Sequence, residues 1–209
     1  HQPAQSTLRQ QNPLYQPARA ITQKEMGSAA LHTLIDSLYA MMLQKAGVGI
    51  AANQLGKRLQ IFIIEAEADN TRYQVLGAVP KQVFLNPRIT KVSESRSNFW
   101  HGCLSAHNEK RGNIATYDWI EYTCYTPDGK PVSGRLEGFA AVIFQHEFRH
   151  LLGGTYLDHA NHLLHKEELD AKIETGTLPF FESAPDTLPL LVEGYRIGES
   201  LEEYYERKR

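Results

Sequence analysis

The chain is predicted to be an α+β protein in which short antiparallel or mixed β-sheets wrap around one central helix. Three observations carry that expectation. Apolar residues recur at helical spacing early in the chain, between Ser28 and Gln44. A block of strand-like runs follows, from about Arg58 to Glu137. A second helical stretch, Gly138 to Leu152, then holds His146, Glu147 and His150 in the order His-Glu-x-x-His. Strands and helices are segregated along the chain rather than alternating, which favours α+β over a parallel α/β sheet.

Each element has its own signal. The first twenty residues are rich in Gln and Pro without apolar periodicity and read as an extended arm, residues 1–20. Leu31, Leu34, Ile35, Leu38, Met41 and Met42 then share one helical face. The glycines of AGVGIAANQLG end that helix, and RLQIFIIEA follows as a buried strand. Polar ADNTRYQ breaks the pattern before KQVFLNPRIT, a second strand that Asn-Pro is expected to end. A loop is expected to lead into FWHGCLSAHNEKRGN. WIEYTCYTPDGKPVSGRLEG reads as a hairpin turning at Pro127-Asp128-Gly129. After the motif helix, HANHLLHKEELDAKIETG suggests a further helix, while TLPFFESAPDTLP and GESLEEYYERKR are expected to be peripheral.

Composition narrows the functional classes. The 209 residues carry a net charge of −2, with 42% hydrophobic and 22% charged residues. That balance gives no electrostatic reason to expect DNA or a membrane surface as partner. No apolar run reaches the roughly 18–20 residues that span a bilayer, and no signal peptide is visible. Two cysteines point to a reduced setting rather than a disulfide framework. Cys124, inside IEYTCYT, reads as a small buried hydrophobe. Cys103, in HGCLS, sits between a glycine and a polar loop, where a thiol can face a cavity.

The motif helix carries the chemistry. On a helix, residues four apart share a face, so His146 and His150 can close on one metal ion with Glu147 beside them. Apolar Phe139, Ala140, Val142, Ile143 and Phe144 precede them and Leu151 and Leu152 follow, so the helix is buried on more than one face. Polar groups buried there are costly unless paired or bound to metal. A hydrolytic site of this kind normally takes a third protein ligand. The extended protease motif that ends in a third histidine fails, because Tyr156 stands at that position. A glutamate from a later helix (Glu167, Glu168 or Glu174), as in thermolysin-like proteases, and the Cys103 thiolate both stay open on the residues alone.

Three stretches, in order and with similar separations, resemble the motifs of peptide deformylases. GVGIAANQ (47–54) resembles G-x-G-x-A-A-x-Q, HGCLS (101–105) resembles E-G-C-L-S, and QHEFRHLLG (145–153) resembles Q-H-E-x-D-H-x-x-G. FLNPRI is similar to the family's strand ending in Asn-Pro, and the resemblance spans roughly Leu31 to Asp158. It implies one catalytic domain of this type over 21–178, with 179–209 as an extension of unknown role. The Gly-rich stretch lacks the strand before and helix after that a dinucleotide site requires. It reads instead as a loop whose small residues let backbone pass close to a ligand, with Gln54 at the metal.

What the resemblance implies is an enzyme that removes the N-formyl group from formyl-methionine of nascent polypeptides and releases formate. Cys103, His146 and His150 would hold one divalent metal, natively Fe2+, with Zn2+ or Ni2+ able to occupy the same site, and water would take the fourth position. The metal would bring that water's pKa from 15.7 towards about 7. Glu147 would act as general base and acid. The Gln54 amide and the Leu104 backbone N–H would stabilise the developing oxyanion. By motif position, Val48, Phe99, Phe139, Val142 and Ile143 are candidates for lining the methionine pocket. Backbone at Gly47–Gly49 and a loop at Phe99–Trp100 would hold the peptide like an added strand. The setting implied is a bacterial cytoplasm, or an organelle of bacterial ancestry, with the nascent chain as substrate and transient ribosome association.

The chain departs from the family pattern at several positions. His101 replaces the glutamate of E-G-C-L-S and Arg149 the aspartate between the histidines. Asn53 stands where proline or a small residue is usual, His107 where proline is common, and Thr116 where an arginine is expected. Losses at such supporting positions typically cost about 10–100-fold in metal affinity or activity rather than the site itself. The alternatives are a deformylase-like protein that binds metal or formyl-peptide with little turnover, and a thermolysin-like metallopeptidase.

Overall fold

The computed structural model describes residues 12–67, 77–101, 110–155, 163–175, 181–184 and 189–209. Near the start, Pro13–Tyr15 form a 3-10 turn rather than extended chain, and Ala18 is buried. Ser28 then caps the first helix, α1 (Ala29–Gln44), its side chain accepting from the Leu31 N–H. The face predicted from periodicity is the buried one: Leu31, Ile35, Leu38 and Met42 pack on Ile50, Ile61, Ile63 and Leu85.

Those partners belong to a five-stranded antiparallel sheet of order β1-β2-β3-β6-β7: β1 (Gly49–Ala51), β2 (Ile61–Ala66), β3 (Val79–Val92), β6 (Trp119–Tyr125) and β7 (Pro131–Glu137). The opposite face of the sheet packs on α2 (Gly138–Leu151) through Phe62, Ile64, Phe84 and Tyr122. Helices on both faces explain why β2 reads as an unbroken apolar run: Ile61 and Ile63 point one way, Phe62 and Ile64 the other. Phe144 of α2 meets Phe62 and Phe84 edge-on, with centroids 5.0 Å apart in both pairs.

The hairpin between β6 and β7 forms as expected, with Gly129 donating to the Thr126 carbonyl across the turn at a φ of 89°. The expected stop at Asn-Pro does not occur. β3 runs through Asn86-Pro87 as a bulge, with its register to β6 shifting between Leu85 and Arg88. Asn86 takes a φ of 50°, its N–H reaches the Gln60 carbonyl, and its side chain pairs with both the N–H and the carbonyl of Ile21. These bonds anchor the bulge to the Gln60 and Ile21 backbone.

A second antiparallel sheet, of order β8-β5-β4-β9, occupies a region expected to be largely loop: β4 (Arg96–His101), β5 (Lys110–Tyr117), β8 (Leu163–His165) and β9 (Phe181–Ser183). β8 also takes residues expected to be helical, so the next helix, α3, begins only at Lys166 and ends at Glu174. α2 contacts strands of both sheets. Gln145 makes the link to the second sheet. Its fully buried amide accepts from the Tyr117 N–H at 2.8 Å and donates to the Tyr117 and Ala141 carbonyls at 2.9 and 3.0 Å. Gln145→Leu, which strands both Tyr117 backbone groups, is expected to cost about 2–3 kcal/mol in denaturant unfolding.

The end of the chain is not peripheral. In α4 (Leu201–Lys208), Leu201 and Tyr204 are buried, and with Val192 and Tyr195 they join the same apolar cluster as α2. No helix among the described residues is long and apolar enough to cross a membrane.

Candidate metal centre

β7 passes directly into α2 at Gly138, whose φ of 57° allows the abrupt change of direction. Along α2, Phe139, Val142 and Ile143 lie one or two turns before His146, Glu147 and His150 on neighbouring stripes. All six are buried, and His150 is fully so. The ligand atoms of His146, Glu147 and His150 lie within 4.8 Å of one another, the one such cluster among the described residues. The histidine rings sit 5.3 Å apart at 74°.

The helix ends in a Schellman motif, with Gly153 at φ 90°, its N–H on the His150 carbonyl and the Gly154 N–H on the Arg149 carbonyl. This turn brings the Gly154 carbonyl to 3.0 Å from His150 Nδ1. A carbonyl can only accept, so the proton is assigned to Nδ1 and the lone pair to Nε2, the form in which a histidine binds metal. Buried donors, an oriented imidazole and a neighbouring carboxylate form a set that fits a divalent ion.

Glu147 is the electrostatic centre of the cluster. Its Oε1 has no hydrogen-bond partner among the described residues, and burial pushes its carboxyl well above the usual carboxylate range. Gly49 of β1 packs against it so closely that a Cβ there would lie 2.5 Å from Glu147 Oε2. The first motif and the third are thus in direct contact. That stretch is not loop throughout: after β1 it forms a 3-10 turn, Ala52–Leu55. The Ala51 N–H donates to the Gln54 Oε1 at 2.7 Å and so fixes the orientation of that half-buried amide.

Cys103 and Leu104 lie outside the described residues, as do His107 and Tyr156. Val48, Phe99, Phe139, Val142 and Ile143 share one apolar cluster, with the Phe99 and Phe139 rings 5.8 Å apart. Phe99 and Trp100 lie in strand β4, not in a loop. As consecutive strand residues they face opposite sides, so Trp100 points away from Phe139. Both edges of β4 are occupied at Phe99, by Ile114 and by Phe181, so no added strand can pair there. β1, by contrast, is an edge strand of its sheet. Glu167, Glu168 and Glu174 are exposed on α3 and outside the histidine cluster.

The partners of two of the departures from the family pattern could not be read from the sequence. Asn53 donates through Nδ2 to the His150 carbonyl at 2.7 Å, giving the unusual residue of the first motif a purpose in the third. Arg149, buried where the family pattern has an acid, donates to the Glu193 carbonyl at 3.0 Å and more weakly to that of Leu191 at 3.5 Å. Their only sequence signal is that each breaks the motif around it.

The family model described as Polypeptide deformylase matches residues 7–166. The chain belongs to the peptide deformylase family. Peptide deformylase 1 of Xanthomonas axonopodis pv. citri is 39% identical over 131 residues, covering 63% of this chain and 75% of the relative. Peptide deformylase 2 of Pseudomonas syringae pv. tomato is 40% identical over 130 residues, covering 62% and 72%. Among solved structures, the class I type b peptide deformylase of Acinetobacter baumannii bound to Met-Ala-Ser superposes with a TM-score of 0.67 at 31% identity, covering 71% of this chain and 92% of that one. Metal-dependent deformylation is the activity of the peptide deformylase family, so the chain is an enzyme of that class and not a thermolysin-like peptidase.

Proposed function

We propose that this deformylase acts on formyl-methionine at the start of nascent polypeptides through a metal held by Cys103, His146 and His150. The observation that carries the reading is the buried cluster of His146, Glu147 and His150, with His150 oriented by the Gly154 carbonyl. Fe2+ is the proposed native ion, with Zn2+ and Ni2+ as substitutes, because a thiolate with two imidazoles suits these metals over Mg2+ or Ca2+. When bound, the ion supplies the positive charge that polarises the formyl carbonyl and acidifies water.

Glu147 accepts the proton of the attacking water and delivers it to the departing amine as the formamide C–N bond breaks, yielding formate and a free N-terminus. The Gln54 NH2 and the Leu104 N–H donate to the oxygen on which charge develops. Backbone at Gly47, Val48 and Gly49 holds the peptide along the edge of β1, beside Glu147. Val48, Phe99, Phe139, Val142 and Ile143 wall the methionine pocket, and Trp100 supports β4 from its other face. The two sheets close around α2 as the central helix of a catalytic unit at 21–178, with 1–20 as an arm and 179–209 as an extension. A bacterial cytoplasm is the proposed setting, with transient access to chains emerging from the ribosome.

The test is formate release from formyl-Met-Ala-Ser by anaerobically prepared protein, with metal content measured on the same sample. One metal per chain with no detectable formate would sink the reading and leave a binding protein.

A further inference from the structure

The end of α2 is held by a part of the chain that lies beyond the family match. A helix leaves its last carbonyls without partners inside the helix. The Schellman turn uses those of Arg149 and His150, and the next two go to phenols of α4. Tyr205 donates to the Leu151 carbonyl and Tyr204 to the Leu152 carbonyl. On the neighbouring stripe of α2, Arg149 donates to the carbonyls of Glu193 and Leu191. Leu191 is itself tied to β5, its N–H bonded to the Ala115 carbonyl. The Tyr195 ring closes the contact edge-on against Phe148, at 4.8 Å.

Leu191, Glu193, Tyr195, Tyr204 and Tyr205 all lie C-terminal to residue 166, where the family match stops. The departure at Arg149 belongs to the same arrangement. A carboxylate at that position would face two carbonyl oxygens and repel them, whereas a guanidinium donates to them. The arginine and the C-terminal segment are two halves of one contact.

We propose that the segment Leu190–Tyr205 is a positioning clamp for His150, acting through Arg149, Tyr204 and Tyr205, and that it sets how tightly the site retains its metal. The proposal rests on the reading that His150 is a ligand. Fixing the carbonyls on either side of the last turn fixes the Gly154 carbonyl, and with it the ring of His150. Groups that orient a ligating histidine commonly change metal affinity about 10–100-fold when removed.

The experiment uses full-length protein loaded with Zn2+ and follows its transfer to a chromogenic chelator at 25 °C, well below the unfolding transition. Tyr205→Phe, which deletes one hydroxyl, is expected to release zinc about tenfold faster, and Arg149→Asp faster still. Tyr195→Phe is the control. It removes a phenol from the same segment whose hydroxyl serves Ile89 and Glu199, not α2, and it is expected to release zinc at the wild-type rate even if its unfolding midpoint falls. In the apo protein, Tyr205→Phe should also speed hydrogen exchange at the Gly153 and Gly154 amides. Wild-type release by Tyr205→Phe, or equal acceleration by both phenol variants, overturns the clamp. If Arg149→Asp does not fold, Tyr205→Phe decides alone. Wild-type protein that fails to hold one zinc per chain defeats the metal-site reading first.

Discussion

Glu147→Gln is expected to lower kcat for formate release by about 10²–10⁴-fold, the range for loss of a positioned proton carrier. Glutamine keeps the shape of the side chain but can neither take a proton from water nor hand one to the amine. Metal content should stay at one per chain, because the proposed ligands are Cys103, His146 and His150. Stability should not fall. Burial works against the charged form of Glu147, and its Oε1 has no partner among the described residues to be lost. Kinetics, metal analysis and thermal unfolding on the same sample separate these effects. Activity within threefold of wild type would remove Glu147 from the proton path.

Gly49→Ala is expected to lower kcat by about 100-fold, the scale for a displacement of about 1 Å in a reacting group. A Cβ on Gly49 would lie 2.5 Å from Glu147 Oε2, 2.8 Å from Cδ and 2.9 Å from Cγ. Neither side yields easily. Gly49 is paired with Ile64 in the sheet, and Glu147 projects from a helix buried on nearly all sides. Overpacking of this kind also costs about 1–3 kcal/mol of stability. The signature is a fall in kcat larger than any change in KM, with the protein still folded at the assay temperature. Near-wild-type kcat would show that the carboxylate can swing aside without consequence.

Legibility differed sharply between elements. α1, the β6–β7 hairpin and α2 are readable because apolar periodicity and a Pro-Asp-Gly turn are local properties. β4 and β5 were missed. RSNFWH and KRGNIATY lack a clean apolar alternation, and they are strands because they pair with each other and with β8 and β9. Asn86-Pro87 reads as a stop because a proline normally breaks a ladder; contacts of Asn86 with Gln60 and Ile21, distant in sequence, hold the bulge by which the strand continues. The polar C-terminus looked peripheral because its apolar content is low. Tyr195 and Tyr204 are buried all the same and Tyr205 is partly so, and the Tyr195 and Tyr205 phenols are pushed well above the usual range by burial.

The sequence by itself pointed to the chemistry: three spaced motifs indicate the family to which the chain belongs and single out the residues proposed to bind metal and carry protons. Spacing on one helix is enough to bring His146 and His150 onto one face. Only the tertiary structure decided what surrounds them: Gly49 against Glu147, Asn53 on the His150 carbonyl, Arg149 on the carbonyls of Glu193 and Leu191, and phenols 52 and 54 residues away on the last carbonyls of the helix. The physical reason is that a motif is written in side chains at fixed local intervals. The partners of a helix end are backbone groups, identical in every residue and invisible until the chain closes its long loops and brings one stretch against another.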